Sequence, residues 1–378
     1  MNSKIITNLP TPCWLLSEKQ LESNLKLLKY IKDKSGAKIL LALKGYALYQ
    51  SFDLISKYLD GCCASGLHEA LLAREEFKKE VHTYSPAFKE EDLVHIAPIS
   101  NHIVFNSVPQ YQQYAKKAKN INPDISLGLR VNPEFSHAPK EIYNPCGLYS
   151  RLGTTLVNFD ITKLEGIEGL HFHALCEQGS DALEDVLKHF EDKFKDYIPQ
   201  MKWINFGGGH HITKKGYDIE KLISLIQTFK AKYDIEVYLE PGEAIGWQTG
   251  VLITSVLDIV HNGIDIAILD TSAEAHMPDT IIMPYRADVL GGSQAGEKAY
   301  TYRLAGNTCL AGDIMGDYSF DKPLNIGDKI IFEDQIHYTM VKATTFNGIK
   351  LPSIAIERLN NDIEIVKSFG YKEFKNRL

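Results

Sequence analysis

Four groups of residues in this sequence could do chemistry together: Lys44, His171-Phe172-His173, Gly207-Gly208-Gly209 and Glu240-Pro241-Gly242. Lys44 follows an unbroken apolar run over 39–43 and precedes Gly45. A run that short fits a strand buried on both faces. A lysine held against apolar walls has a depressed pKa, and its neutral amine can condense with an aldehyde. A triple glycine lets the backbone approach an anion closely with its N–H groups. Glu240, held by Pro241 and Gly242, can keep a pyridine nitrogen protonated. An amine for an aldehyde, a cradle for phosphate and a carboxylate for a ring nitrogen are what pyridoxal 5′-phosphate requires as an electron sink. His171 and His173 share one strand face. They suit either a metal shared with His210 or His211, or an imidazole stacked on a planar ring. No metal is assigned.

These residues need elements to hold them. Short apolar segments occur at 39–43, 62–64, 81–84, 103–105, 126–131, 167–172, 203–206 and 237–239. Segments of helical length lie between most of them, including 67–77, 90–96, 110–118, 182–197 and 219–233, and a helical pattern covers 15–30. Such alternation predicts a (β/α)8 TIM-type barrel, whose chemistry gathers at the carboxyl ends of its strands. Ser65, Ser85, Asn106, Arg130 and Asn132 stand at further strand ends. After Trp247 the rhythm changes. Apolar or alternating runs at 251–260 and 264–270 flank Asn262-Gly263, a hairpin signal. Runs at 300–304, 329–332 and 336–345 follow without helical segments between them. The expected domains are a barrel over 12–247 and a C-terminal β-rich domain, sandwich- or barrel-like, over 248–378, with residues 1–11 as candidates to join it.

A net charge of −7 and a pI near 6.0 argue against nucleic acid as a partner and are compatible with a cationic ligand. The polar first residues do not read as a signal peptide, and no apolar run reaches membrane length. The six cysteines show no metal spacing, and free thiols in a reducing cytoplasm account for them.

The chain also resembles the fold-type III pyridoxal-phosphate decarboxylases, the group of ornithine and diaminopimelate decarboxylases. The markers, in order, are Ala42-Leu43-Lys44, Cys63-Ala64-Ser65, Leu129-Arg130-Val131-Asn132-Pro133, Ser150-Arg151-Leu152-Gly153, His171-Phe172-His173, Phe206-Gly207-Gly208-Gly209, Glu240-Pro241-Gly242, Gly306-Asn307-Thr308-Cys309 and Thr345-Phe346-Asn347-Gly348. The resemblance implies that Lys44 carries the cofactor, His173 stacks on its ring, Gly207, Gly208 and Gly209 hold its phosphate and Glu240 pairs with its ring nitrogen. It adds Arg151 and Tyr338 to the cofactor-binding set. It makes Cys309, from the partner subunit of a homodimer, the acid that reprotonates the α-carbon.

Two positions depart from that pattern. The arginine that usually follows Glu-Pro-Gly is Glu243 here, and Leu175-Cys176-Glu177 stands where Gly-Ser is usual after the stacking histidine. A carboxylate beside phosphate is costly unless it faces something cationic, such as a polyamine tail. With 276–279, Met283-Pro284-Tyr285-Arg286 and 309–313, these departures are similar to the carboxynorspermidine/carboxyspermidine decarboxylase branch. That branch implies formation of norspermidine or spermidine from the carboxylated precursor, with Asp313, Glu177, Glu243 and Tyr285 as candidate substrate ligands. A diaminopimelate decarboxylase would need a cation for the distal carboxylate, for which Arg286 is the candidate. An alanine-racemase-like isomerase would need an arginine where Glu240 stands.

Overall fold

The computed structural model describes residues 8–378. The chain divides into two compact units, one running from Glu22 to Ile245, the other joining the described residues up to Leu21 with Gly246–Leu378. The expected barrel start at residue 12 is therefore displaced. Leu15 and Leu16, read from sequence as the start of a helix, lie in strand β1 (Cys13–Ser17), buried along its whole length. β1 pairs in parallel with a strand 340 residues later, Cys13 opposite Ser353. Two adjacent leucines satisfy either a helix or a strand buried on both faces, and long-range pairing decides between them. The helix begins at Glu18 and runs to Ser35, acidic in its first turn and basic in its last, as the helix dipole favours.

The Glu22–Ile245 unit is a closed parallel barrel. Its strands are β2 (Lys38–Ala42), β3 (Gly61–Ala64), β4 (Glu80–Tyr84), β5 (His102–Phe105), β6 (Ser126–Arg130), β7 (Gly169–His171), β8 (Trp203–Asn205) and β9 (Glu236–Leu239). β9 returns to pair with β2, Leu239 beside Ile39. Every barrel strand predicted from sequence forms. Helices cover most strands from outside, among them Val108–Ile121, Ser180–Phe194 and Ile219–Tyr233. The first of these is started by Ser107, whose side chain accepts from the Gln110 N–H. Between β2 and β3 the chain forms only a 3-10 turn, Tyr49–Ser51, and a short helix, Phe52–Ile55, and the expected helix over 67–77 divides into Leu67–Leu72 and a π-helical turn, Ala73–Phe77.

The barrel's lower end is filled by large rings. Trp203 lies where any side chain at Gly128 or Gly169 would stand, so those two glycines exist to admit it. Its indole N–H donates to Ser126 Oγ at 2.8 Å. Beside it, Lys38 Nζ is 2.9 Å from Glu80 and 3.3 Å from Glu236, and His82 Nε2 is 3.1 Å from the other Glu80 oxygen. His82 lies flat on His102, ring centroids 3.8 Å apart and 16° from parallel.

The second unit is a nine-stranded mixed sheet. Its long strand β10 (Gly250–Asn262) turns at Gly263 into β11 (Ile264–Leu269), with Asn262 opposite Ile264, as the Asn-Gly signal predicts. β12 (Ser293–Gln294), β13 (Tyr300–Ala305), β14 (Ile314–Phe320), β15 (Lys329–Glu333), β16 (Ser353–Glu357) and β17 (Ile363–Lys367) complete it. Leu9, Cys13, Leu15, Val251, Ile253 and Ala355 form one of its apolar clusters. The run at 336–345, expected as a strand, holds a helical turn, Tyr338–Val341.

Burial holds His102 well below its ordinary 6.5, helped by the charges of His82 and Lys38. Above pH 6.5 it is neutral in both the folded and unfolded chain. Below that, the unfolded chain takes up a proton that the folded barrel refuses, so stability falls with acid by up to ~1.4 kcal/mol per pH unit for this group. Urea unfolding at pH 7.5 and 5.5 should show His102→Phe losing less stability on acidification than the parent. Equal losses would remove His102 from the account.

Candidate active site

The carboxyl ends of the barrel strands bring Lys44, His173, Gly207, Gly208, Gly209 and Glu240 to one mouth. Glu240 is the best-defined group. Its side chain is 13% exposed, Oε2 accepts from His171 Nε2 at 3.2 Å and Oε1 from Asn205 Nδ2 at 2.7 Å. Burial pushes its pKa up, but His171 and Asn205 more than offset this and hold it at about 2. Glu240 is therefore an anion throughout the working pH range. Its partner His171 is almost wholly buried and held below its ordinary value by that burial, so it donates as a neutral imidazole.

Asn205 does a second job. Its Oδ1 accepts the Gly207 N–H at 2.8 Å, joining the carboxylate to the glycine turn. The next N–H, from Gly208, donates to His173 Nδ1 at 2.9 Å. With Nδ1 accepting, the proton of the neutral ring sits on Nε2. Burial first, then the charges of Lys44 and Arg130, keep His173 well below its ordinary pKa. The Gly207 and Gly208 N–H groups are thus engaged within the protein, which revises the expectation that all three glycines donate to phosphate. What the triplet does supply is close approach of its backbone to neighbouring carbonyls. A Cβ on Gly207 would lie 2.5 Å from the Phe172 carbonyl oxygen, one on Gly208 would strike the Glu240 carbonyl and one on Gly209 the Leu175 carbonyl. Gly207 and Gly209 also have φ of +69° and +84°.

Lys44 follows β2 in a turn, open to a ligand from the mouth yet ringed by protein. Desolvation depresses its pKa, and the nearby Arg130 guanidinium adds to this. Arg130 is buried and donates from Nη2 to the His173 carbonyl at 3.2 Å. Tyr84 does not stand out in the sequence. Its ring lies 4.7 Å from the Arg130 guanidinium and 5.5 Å from the His171 ring. Asn205 escapes sequence reasoning too. In both cases the available signal is a polar residue in the inward period of a strand: Trp203 and Asn205 on β8, and Glu80, His82 and Tyr84 on β4.

The remaining predicted residues divide between the units. Glu177, His211 and Glu243 each place one ligand atom within 4.8 Å of the others, with His211 Nε2 3.6 Å from Glu243. Arg151 is exposed, and its carbonyl accepts from Asn106 Nδ2 at 2.8 Å. Cys309, Asp313, Tyr285 and Tyr338 belong to the sheet unit. Cys309 is exposed, its N–H donating to Asn347 Oδ1 at 2.7 Å. Tyr285 lies beside Gln335 and Thr339, and Tyr338 opens the Tyr338–Val341 turn with Lys342 Nζ 5.3 Å from its ring. Asp313 corrects an expectation. It is 3% exposed, Oδ1 accepts from Ser272 Oγ at 3.1 Å and Ala273 N–H at 2.6 Å, and Oδ2 accepts from Thr308 N–H at 3.1 Å and Oγ1 at 2.6 Å. Its acceptors are occupied in shaping the loop that carries Cys309, and none is left for a substrate amine. All six cysteines are free.

Comparison with known proteins accords with this geometry. Residues 30–335 match the family described as pyridoxal-dependent decarboxylase, C-terminal sheet domain. The chain belongs to the pyridoxal-dependent decarboxylases. A carboxynorspermidine/carboxyspermidine decarboxylase of Campylobacter jejuni is 56% identical over 378 residues, covering 97% of this chain and 98% of its own. A carboxyaminopropylagmatine decarboxylase of Synechocystis is 43% identical over 375 residues, covering 99% of this chain and 96% of its own. The crystal structure of carboxynorspermidine decarboxylase from C. jejuni complexed with norspermidine superposes with a TM-score of 0.92 at 54% identity, covering 98% of this chain and all of that one. A diaminopimelate decarboxylase from Helicobacter pylori shares the fold, TM-score 0.83, at 15% identity.

The cofactor of this decarboxylase is therefore pyridoxal phosphate, and the mouth fits it. It offers an amine biased towards its neutral form, a buried anion for the ring nitrogen, and a turn of three glycines that carries no side chain to hinder a phosphate. Replacing His171 by Phe should leave Glu240 with Asn205 alone. The carboxyl pKa then rises from about 2, and an acid limb absent from the parent enters the kcat–pH profile. An unchanged profile would mean that His171 does not hold the charge.

Proposed function

We propose that this enzyme decarboxylates carboxynorspermidine and carboxyspermidine, giving norspermidine and spermidine, as a cytoplasmic homodimer. The observation that carries the substrate reading is the Glu177–His211–Glu243 cluster at the barrel mouth. Two carboxylates so close together repel each other and favour a cation between them. A chain of protonated amines meets that need, whereas a distal carboxylate does not. The full-length likeness to relatives named for polyamine substrates supports the same reading. Six free thiols suit a reducing compartment.

Pyridoxal phosphate supplies an aldehyde to link the substrate amine and a ring to accept the electron pair left when carbon dioxide departs. In this reading Lys44 would hold the aldehyde, and its depressed ammonium pKa favours the amine form that this needs. Glu240 keeps the ring nitrogen protonated. His173 would stack on the ring, and the turn at Gly207, Gly208 and Gly209 would take the phosphate, with Tyr338 and Arg151 as further ligands. Cys309 of the partner subunit returns a proton to the α-carbon. Glu177 and Glu243 take the distal amines in place of Asp313, with Tyr285 as a further substrate ligand.

The test is carbon dioxide release from carboxynorspermidine, carboxyspermidine and diaminopimelate at equal concentration. The first two should turn over at least ~100-fold faster in kcat/KM, since a site that pairs a substrate's polar group rejects the analogue that leaves it unpaired. A preference for diaminopimelate would overturn the substrate assignment and turn attention to Arg286, whose Nη1 is buried without a partner. Glu243→Gln should raise KM for the polyamine substrates about tenfold with little change in kcat, because it weakens binding equally in ground and transition states. Lys44→Ala should abolish the visible absorption of the bound cofactor.

A further inference from the structure

Tyr84 is the last residue of β4, and three neighbours converge on it. Its hydroxyl donates to Asn106 Oδ1 at 2.8 Å, and that oxygen also accepts the Gly153 N–H at 2.7 Å. The Arg130 guanidinium sits over its ring at 4.7 Å. The His171 imidazole stacks on it at 5.5 Å, 27° from parallel. Each ring neighbour controls a different proton. Arg130 is the charge nearest in effect to the Lys44 ammonium, and His171 is the donor that fixes Glu240. Lys44 stands at the aldehyde side of the cofactor and Glu240 at its nitrogen.

We propose that Tyr84 is a positioning residue whose ring holds Arg130 beside the His173 carbonyl and His171 towards Glu240 at the same time, so that one side chain places the groups that surround both ends of the cofactor site. The physical basis is the ring's quadrupole. Its negative face attracts a guanidinium, an interaction that grows as water is excluded, and it packs against a planar imidazole. Without the ring, Arg130 keeps only its bond to the His173 carbonyl, and its flexible stem can carry the charge towards solvent. Burial keeps the phenol of Tyr84 protonated, so its hydroxyl remains a donor to Asn106 and the ring plane stays fixed. Asn106 in turn holds the backbone of Arg151 and Gly153, which locks the loop after β6 to the same ring.

This inference rests on Lys44 being the cofactor lysine, and its test is read first on the cofactor-free protein. The probe is an amine-acylating reagent, with labelling of the Lys44 peptide followed by mass spectrometry across pH. In the parent, Lys44 should label with a midpoint below that of an ordinary lysine. Tyr84→Leu should raise that midpoint by about one pH unit, the scale of losing one like charge from a partly screened site. Tyr84→Phe keeps the ring but loses the hydroxyl's bond to Asn106, and should move the midpoint by less than half as much as Tyr84→Leu. In the loaded enzyme, Tyr84→Leu should also move the pH midpoint of the cofactor's visible absorption upwards and lower kcat more than it raises KM. If leucine prevents folding, judged by circular dichroism, Tyr84→Met replaces it. Tyr84 is overturned if the Leu or Met variant titrates Lys44 like the parent. It is equally overturned if the Phe variant shifts as far as the Leu variant, since the hydroxyl and not the ring would then be responsible. The Lys44 reading fails on a different observation, persistence of the cofactor's absorption in Lys44→Ala.

Discussion

The structure depends on one buried charge. Glu240 is a carboxylate deep in the mouth of a barrel, where desolvation favours its protonated form. Two side chains reverse that preference, His171 and Asn205, and both come from the neighbouring strands β7 and β8. Removing either partner would leave a buried anion short of a hydrogen bond, a loss of about 1–3 kcal/mol or more. The barrel must therefore be closed and in register before the site can exist. Asn205 extends the constraint into the Gly207 N–H, and the Gly208 N–H passes it to His173. Carboxylate, glycine turn and the His173 imidazole form one hydrogen-bonded chain.

Lys44 is controlled in the opposite sense. The protein around it and the Arg130 guanidinium disfavour its ammonium form. An anion kept charged and an amine whose ammonium form is disfavoured, at the ends of strands that are neighbours across the β9–β2 seam, are what a pyridoxal enzyme needs at one time. The lower end of the same barrel contains Trp203, the stacked His82 and His102, and the Lys38–Glu80–Glu236 group. It is a filled core, so ligands can enter only from the mouth.

Much of this is legible in the sequence because the reactive residues end apolar runs. Lys44, His171, His173, the three glycines and Glu240 each mark a strand end, and alternation of strand and helix implies the barrel. What is hidden follows from distance in the chain. The pairing of β1 with β16 joins residues about 340 apart, and no local pattern reports it. Asp313 looks like a ligand because carboxylates often are. Its actual partners, Ser272, Ala273 and Thr308, meet it only in the folded sheet unit. The roles of Tyr84 and Asn205 depend on which rings and amides face them from other strands. In sequence they are single polar residues within strands.

The central claim is that the protein keeps the cofactor's ring nitrogen protonated by holding Glu240 as an anion. Nitrogen NMR of the enzyme loaded with pyridoxal phosphate labelled at the ring nitrogen tests it directly. The account predicts a pyridinium resonance at neutral pH that persists as the solution is made alkaline past the free cofactor's own transition, and its loss in Glu240→Gln. A neutral pyridine resonance in the parent enzyme at neutral pH would contradict it.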